Sequence, residues 1–217
     1  MRTVILIIAA VFWLPVSCCR TEFVPQEGDL VFRVAGDSDA GQAIAAATAQ
    51  ADSVKYEHVG IVEVRYGNVN VIEATGRGGV VRTPYNTFIS DSPLVGGNPG
   101  VVVKRLDSNA LDNEPELAHR AVERAASHIG EEYDWYYLPD NGRMYCSELV
   151  YVSWLDSEGN PVFDTVKMNF RDAEGNMPQY WTDLFSRLGR PVPEGKPGTN
   201  PNDMSRASVL EEVHRYF

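Results

Sequence analysis

The 217-residue sequence predicts an α+β protein, an antiparallel sheet or small barrel packed against helices. Three observations predict it. Short β-rich runs fill the first half of the chain, helical patterns gather around and after them, and Tyr66-Gly67-Asn68 joins two of the runs as a hairpin. A doubly wound sheet would instead alternate strands with helices throughout.

The elements follow in order. Gly28-Asp29-Leu30-Val31-Phe32 is a turn leading into an apolar strand. Residues 36–53 are alanine-rich and predict a helix. Residues 59–64 and 69–74 are the hairpin strands, and residues 78–83 and 100–106 add two more. A helix is expected over 114–128, with Asn113 as cap, Pro115 in the first turn and Gly130 beyond the end. Residues 139–144 form a turn-rich loop before a helix over 146–155. Residues 162–163 and 166–168 offer a last short strand, and 181–188 a helix inside a tail rich in proline and glycine.

Residues 1–18 read as a signal peptide. Arg2 supplies the positive charge, and the apolar run at 4–13 is too short to span a bilayer. Ser17 before Cys18 and Val16 three places before Cys19 form a lipobox, in which either Cys18 or Cys19 is the acylated residue. Residues 19–27 are then a tether and 28–217 one folded domain. The expected location is the bacterial cell envelope, with membrane contact through a lipid anchor. Acidic residues exceed basic ones, 30 against 19, for a net charge of -11. No basic stripe exists to neutralise phosphates, so nucleic acid is excluded as a partner.

Of three cysteines, only Cys146 remains in the domain, so no disulfide forms within it. Cys146 lies between a turn-rich loop and an apolar helix. At a helix N-terminus, unpaired N–H groups and the helix dipole favour the nucleophilic thiolate and can donate to an oxyanion. A thiolate nucleophile needs a base. His119, His128 and His214 lie in charged surroundings, whereas His58 opens the strand His58-Val59-Gly60-Ile61-Val62, where Gly60 permits close approach. If Val64 faces Val69 across the hairpin, Thr75 lies opposite His58 and Glu73 is the diagonal neighbour on the same face. That diagonal is about 7–8 Å, within reach of a carboxylate that orients the ring. Glu73 is otherwise an unexplained carboxylate inside an apolar strand. The sequence has no His-Glu-x-x-His, no paired cysteines and no phosphate-binding loop, so neither metal nor cofactor is expected.

These motifs resemble a family. Gly28-Asp29-Leu30-Val31-Phe32, His58-Val59-Gly60-Ile61-Val62, Val71-Ile72-Glu73-Ala74, Gly130-Glu131-Glu132-Tyr133-Asp134 and Tyr145-Cys146-Ser147-Glu148-Leu149-Val150 are similar to those of the NlpC superfamily of papain-like cysteine hydrolases. The Cys helix comes after the Gly-Asp and His-Val-Gly strands, which resembles the circularly permuted YaeF/YiiX-type branch. The stretch from Glu194 to Pro201 is also similar. The resemblance implies a permuted papain-like fold, Cys146 as nucleophile, His58 as base and Glu73 in the orienting position. Tyr133, Tyr145 or Ser147 would line the pocket or serve the oxyanion site. It implies a cysteine amidase or peptidase acting on a small peptide, a peptidoglycan fragment or an acyl-amino compound. Two rivals are an acyltransferase of the lecithin retinol acyltransferase-like type, whose members use a second His where Glu73 stands, and a non-catalytic envelope binding module.

Overall fold

The computed structural model describes residues 23–50 and 53–217; the predicted signal peptide, Cys18 and Cys19 lie outside the described residues. One antiparallel sheet contains β1 (Leu30–Val34), β2 (Tyr56–Arg65), β3 (Asn68–Thr75), β4 (Gly79–Pro84), β5 (Val101–Leu106) and β6 (Leu210–Arg215). Its spatial order among the described residues is β6-β5-β1-β2-β3-β4, an open ladder rather than a closed barrel, with Gly130 and Glu131 hydrogen-bonded to Val80 along the β4 edge. The helices are α1 (Asp39–Thr48), α2 (Tyr85–Ser90), α3 (Ser108–Asn113), α4 (Leu117–Ser127), α5 (Cys146–Ser153), α6 (Gln179–Leu188) and α7 (Pro201–Ser205).

Both faces of the sheet are covered, which explains unbroken apolar runs such as Leu30-Val31-Phe32 and Val101-Val102-Val103. Leu30, Phe32, Val59, Ile61, Ile72, Ala74 and Val102 point to α4 and α5, where they meet Ala121, Val122, Leu149 and Val150. The alternate residues Val31, Val62, Val71, Val101 and Val103 point the other way, onto Tyr85, Phe88 and Ile89 of α2. A third cluster, with Tyr137, Tyr145, Phe170, Trp181 and Phe185, covers the start of α5.

The hairpin register is the expected one: Val64 pairs with Val69 and Ile61 with Ile72. Arg65 also pairs with Asn68, so the turn itself is only Tyr66-Gly67, both with positive φ (51° and 77°), as a tight two-residue turn requires. Helical boundaries differ more. The alanine-rich helix is shortened to Asp39–Thr48, with the Ser38 side chain accepting from the Gly41 N–H at its start. The helix expected over 114–128 starts only at Leu117, because Asn113 instead ends a separate short helix that Asp107 caps. Residues 166–167 pair with 197–198, while 162–163 form no strand. The helices α2 and α7 and the edge strand β6 were not anticipated.

Asp29 explains the Gly-Asp turn. Its carboxylate is fully buried, accepts from the Gln26 N–H at 2.8 Å, and receives Arg105 Nε and Nη2 at 2.6 and 2.9 Å. The pair ties the entrance of β1 to β5. Removing the cation strands a buried charge, so Arg105→Ala is expected to destabilise the fold by about 3–5 kcal/mol, whereas an Asp29→Asn/Arg105→Met double variant regains part of that loss. Urea unfolding of both variants measures the difference.

Candidate active site

The site forms where α5 meets the end of β2 nearest α1. Tyr145 ends the preceding extended segment with φ -95° and ψ 168°, and Cys146 is the first residue of α5. The approach is fixed from two sides. Residues 143–144 pair in parallel with 132–133, and the Asp134 N–H donates to the Met144 carbonyl. The buried Asp134 carboxylate in turn accepts from the N–H groups of Tyr136 and Leu138 at 2.8 Å each. This holds the 133–138 loop against the start of α5. Cys146 is therefore buried but sits at amides with no helical acceptor.

His58 follows a bulge in β2. Arg33 pairs with His58 and Val34 with Tyr56, which leaves Glu57 as the extra residue. The His58 ring packs beside Phe88, with centroids 6.1 Å apart, and its Nε2 lies 2.5 Å from Glu73 Oε2. The Cys146 thiol interacts with the same ring. The hairpin count places Glu73 opposite Gly60 and diagonal to His58. A Cβ at Gly60 would lie 2.4 Å from Val71 Cγ1 and 3.3 Å from Glu73 Cβ, so glycine is what leaves the carboxylate its path. Thr83 Oγ1 donates to the other Glu73 oxygen at 2.5 Å. The three residues singled out from the sequence thus stand together: sulfur, imidazole, carboxylate.

Electrostatics fits that grouping. Burial opposes a charged imidazole, but the hydrogen bonds and charges of Cys146 and Glu73 outweigh it and push His58 up from 6.5 to about 9. Burial likewise opposes the Glu73 carboxylate, yet His58, Thr83 and then the Arg33 charge hold it below its ordinary value. The stability drawn from His58 is complete below pH 6.5 and lost as pH rises through about 9. That drawn from Glu73 is present above 4.5 and lost as pH falls through its lowered value. Both groups are charged across neutral pH.

The remaining sequence candidates surround the sulfur. Tyr145 lines a small, mainly apolar cavity of about 40 Å³ with Cys146, Met168, Phe170 and Trp181, while its hydroxyl accepts from the Thr199 N–H at 3.1 Å. The Ser147 side chain is fully buried and accepts from Thr199 Oγ1 at 3.1 Å, so its hydroxyl serves packing. Tyr133 lines this cavity and a second one of about 230 Å³ that also holds His58, Arg33 and Glu57. Burial, then the neighbouring Tyr137 and Cys146, hold the Tyr133 hydroxyl well above its ordinary value, so it remains a donor. A groove of about 980 Å³, larger than either, lies elsewhere, around Tyr66, Glu63 and Arg82, and holds neither His58 nor Cys146. Here the chemistry, not volume, locates the site. Thr83, Phe88, Arg33 and Tyr137 escaped the sequence reading. Period-2 alternation along β4 was the available signal for Thr83; for the others no local pattern existed.

A cysteine at a helix N-terminus, an imidazole from a strand and a carboxylate behind it, with the cysteine latest in the chain, define a papain-like site in permuted order. Residues 24–214 match the family described as permuted papain-like amidase enzyme, YaeF/YiiX, C92, and the chain belongs to it. It is 27% identical over 200 residues to the uncharacterized protein YiiX of Escherichia coli K12, covering 92% of this chain and 91% of that one. It is also similar to a crystal structure described as metalloprotein yiiX from E. coli O157:H7, with TM-score 0.70, 26% identity, and coverage of 89% of this chain and 98% of that one. Among the described residues of this chain, no group of three or more His, Cys, Asp or Glu side chains is placed to hold a metal ion.

Glu148 adds a pH dependence of its own. It lies in the first turn of α5, accepts from the Tyr145 N–H at 3.3 Å, and is pushed by burial, then by Asp134 and Asp140, up to about 8. The folded state keeps this proton while the unfolded chain loses it near 4.5, so stability falls as pH rises from 4.5 to 8. Glu148→Gln removes that fall. Its melting temperature is expected to match the parent at pH 4.5 and exceed it by roughly 5 °C or more at pH 8.5, read by thermal unfolding across pH.

Proposed function

We propose that this protein is a cysteine amidase in which Cys146 is the nucleophile, His58 the proton carrier and Glu73 the group that orients His58. The observation that carries this reading is the grouping itself: Nε2 of His58 bound to Glu73 at 2.5 Å while the Cys146 thiol interacts with the same ring. His58 holds the proton beside the Cys146 sulfur as a thiolate–imidazolium pair. The thiolate attacks the carbonyl carbon of an amide, and the negative oxygen is met by N–H groups at the start of α5 and by the Tyr133 hydroxyl. Collapse breaks the C–N bond, His58 gives its proton to the departing amine, and a thioester remains on Cys146. His58 then takes a proton from water, hydroxide adds to the thioester, and the acid leaves as the thiol is restored. Glu73 keeps the ring fixed and its charge favoured throughout.

The substrate class is an acyl-amino compound or small peptide, including peptidoglycan fragments. The apolar cavity beside Cys146 receives the acyl side. We place the work at the cell envelope, with a lipid on Cys18 or Cys19 as tether; the apolar run at 4–13 and the small residue before the cysteines support this.

Turnover of generic amide or thioester substrates tests the reading. Cys146→Ala is expected to abolish hydrolysis while far-UV circular dichroism stays unchanged; persisting turnover in that variant would refute it. His58→Ala is expected to cost ~10⁴-fold and Glu73→Gln on the order of 10²-fold in kcat/KM, because orientation contributes less than proton transfer. The alkaline limb of kcat/KM is expected near pH 9, where His58 loses its proton, and Glu73→Gln should move that limb to lower pH.

A further inference from the structure

We infer that Arg33 is a subsite for a carboxylate carried by the leaving-amine half of the substrate, which makes N-acyl amino acids with a free carboxylate the preferred class. This rests on the amidase reading above and deepens it. Arg33 is the register partner of His58 across β1 and β2, and the two line the same 230 Å³ cavity. Its head is fixed from two directions. Nε donates to Ser92 Oγ at 3.2 Å, and the guanidinium carbon stands 4.4 Å from the centroid of the Phe88 ring.

With Nε engaged, the terminal guanidinium nitrogens make no hydrogen bond, and no carboxylate lies within ion-pair distance, among the described residues. A pre-positioned guanidinium fork beside the proton donor is shaped for two parallel hydrogen bonds to a carboxylate. In a chain of net charge -11, Arg82 and Arg105 are each matched to an acid, Glu63 and Asp29, whereas Arg33 is not.

The cavities set the direction of the substrate. Acyl carbon and acyl chain belong with Cys146 on the apolar side. The nitrogen departs toward His58, and what it carries enters the Arg33 cavity. Glu57 lines the same cavity with Oε2 held by the Gly36 N–H at 3.0 Å, and it disfavours a second negative charge on the ligand. One carboxylate fits; a phosphate dianion does not.

The alternative is that Arg33 acts only through Glu73, whose charge it supports. A protection experiment on the full chain separates the two. Cys146 is alkylated with iodoacetamide in the presence of N-hexanoylglycine or its neutral match, N-hexanoylglycinamide. The acid is expected to protect at ~10-fold lower concentration than the amide in the parent. Arg33→Gln should bring that ratio to about one, and Arg33→Lys should retain part of it. Equal protection by the two ligands in the parent, no protection by either, or a preference that survives Arg33→Gln would overturn the assignment. So would a loss that is equal for both ligands and accompanied by a shifted pH profile of alkylation, which would mark Arg33 as a positioning residue. Failure of the amidase reading looks different: unliganded alkylation would then be indifferent to His58→Ala, whatever the ligand ratio.

Discussion

The contact between His58 Nε2 and Glu73 Oε2 depends on the pairing of β2 with β3, and the rest of the site depends on that contact. A carboxylate as buried as Glu73 is costly unless its oxygens are satisfied, and here each has one partner, His58 and Thr83. A slip of one residue in the hairpin would turn Glu73 to the face covered by α4 and α5, where Ile72 and Ala74 now lie. The turn at Tyr66-Gly67 prevents the slip, and Gly60 removes the side chain that would fill the space between the two groups. Local backbone chemistry thus carries an electrostatic arrangement six to nine residues away.

The site is assembled from parts that are far apart in sequence. The sheet contributes the His58 ring and the Glu73 carboxylate, both earlier in the chain than Cys146. The helix then brings sulfur, positioned by the 133–138 loop and enclosed by aromatic residues from 137 to 181. Family membership accounts for this order, and the geometry accounts for why order is immaterial to the chemistry: the three groups need proximity, not adjacency in sequence.

Much of this was legible beforehand. The hairpin register, the apolar strands and the placement of Cys146 at a helix start follow from local rules, because turn residues and period-2 alternation act over a few positions. The boundaries of α4 were misread because Asn113 and Pro115 form a plausible cap for the wrong helix, while Asp107 caps an additional one. Thr83, Phe88 and Arg33 were invisible for a different reason. Their meaning lies in what they face, and nothing in their immediate neighbours encodes a ring arriving from another strand. The strand β6, mixed in polarity and late in the chain, exists only because β5 offers it a ladder.

That last strand has a cost and a benefit for the whole molecule. Leu210–Arg215 lies along one border of the sheet and hides the backbone groups of Val101–Leu106. A chain truncated before Leu210 would retain Cys146, His58 and Glu73 yet present an apolar strand with bare donors and acceptors, a template for self-association. The segment that covers this edge contributes none of those three residues.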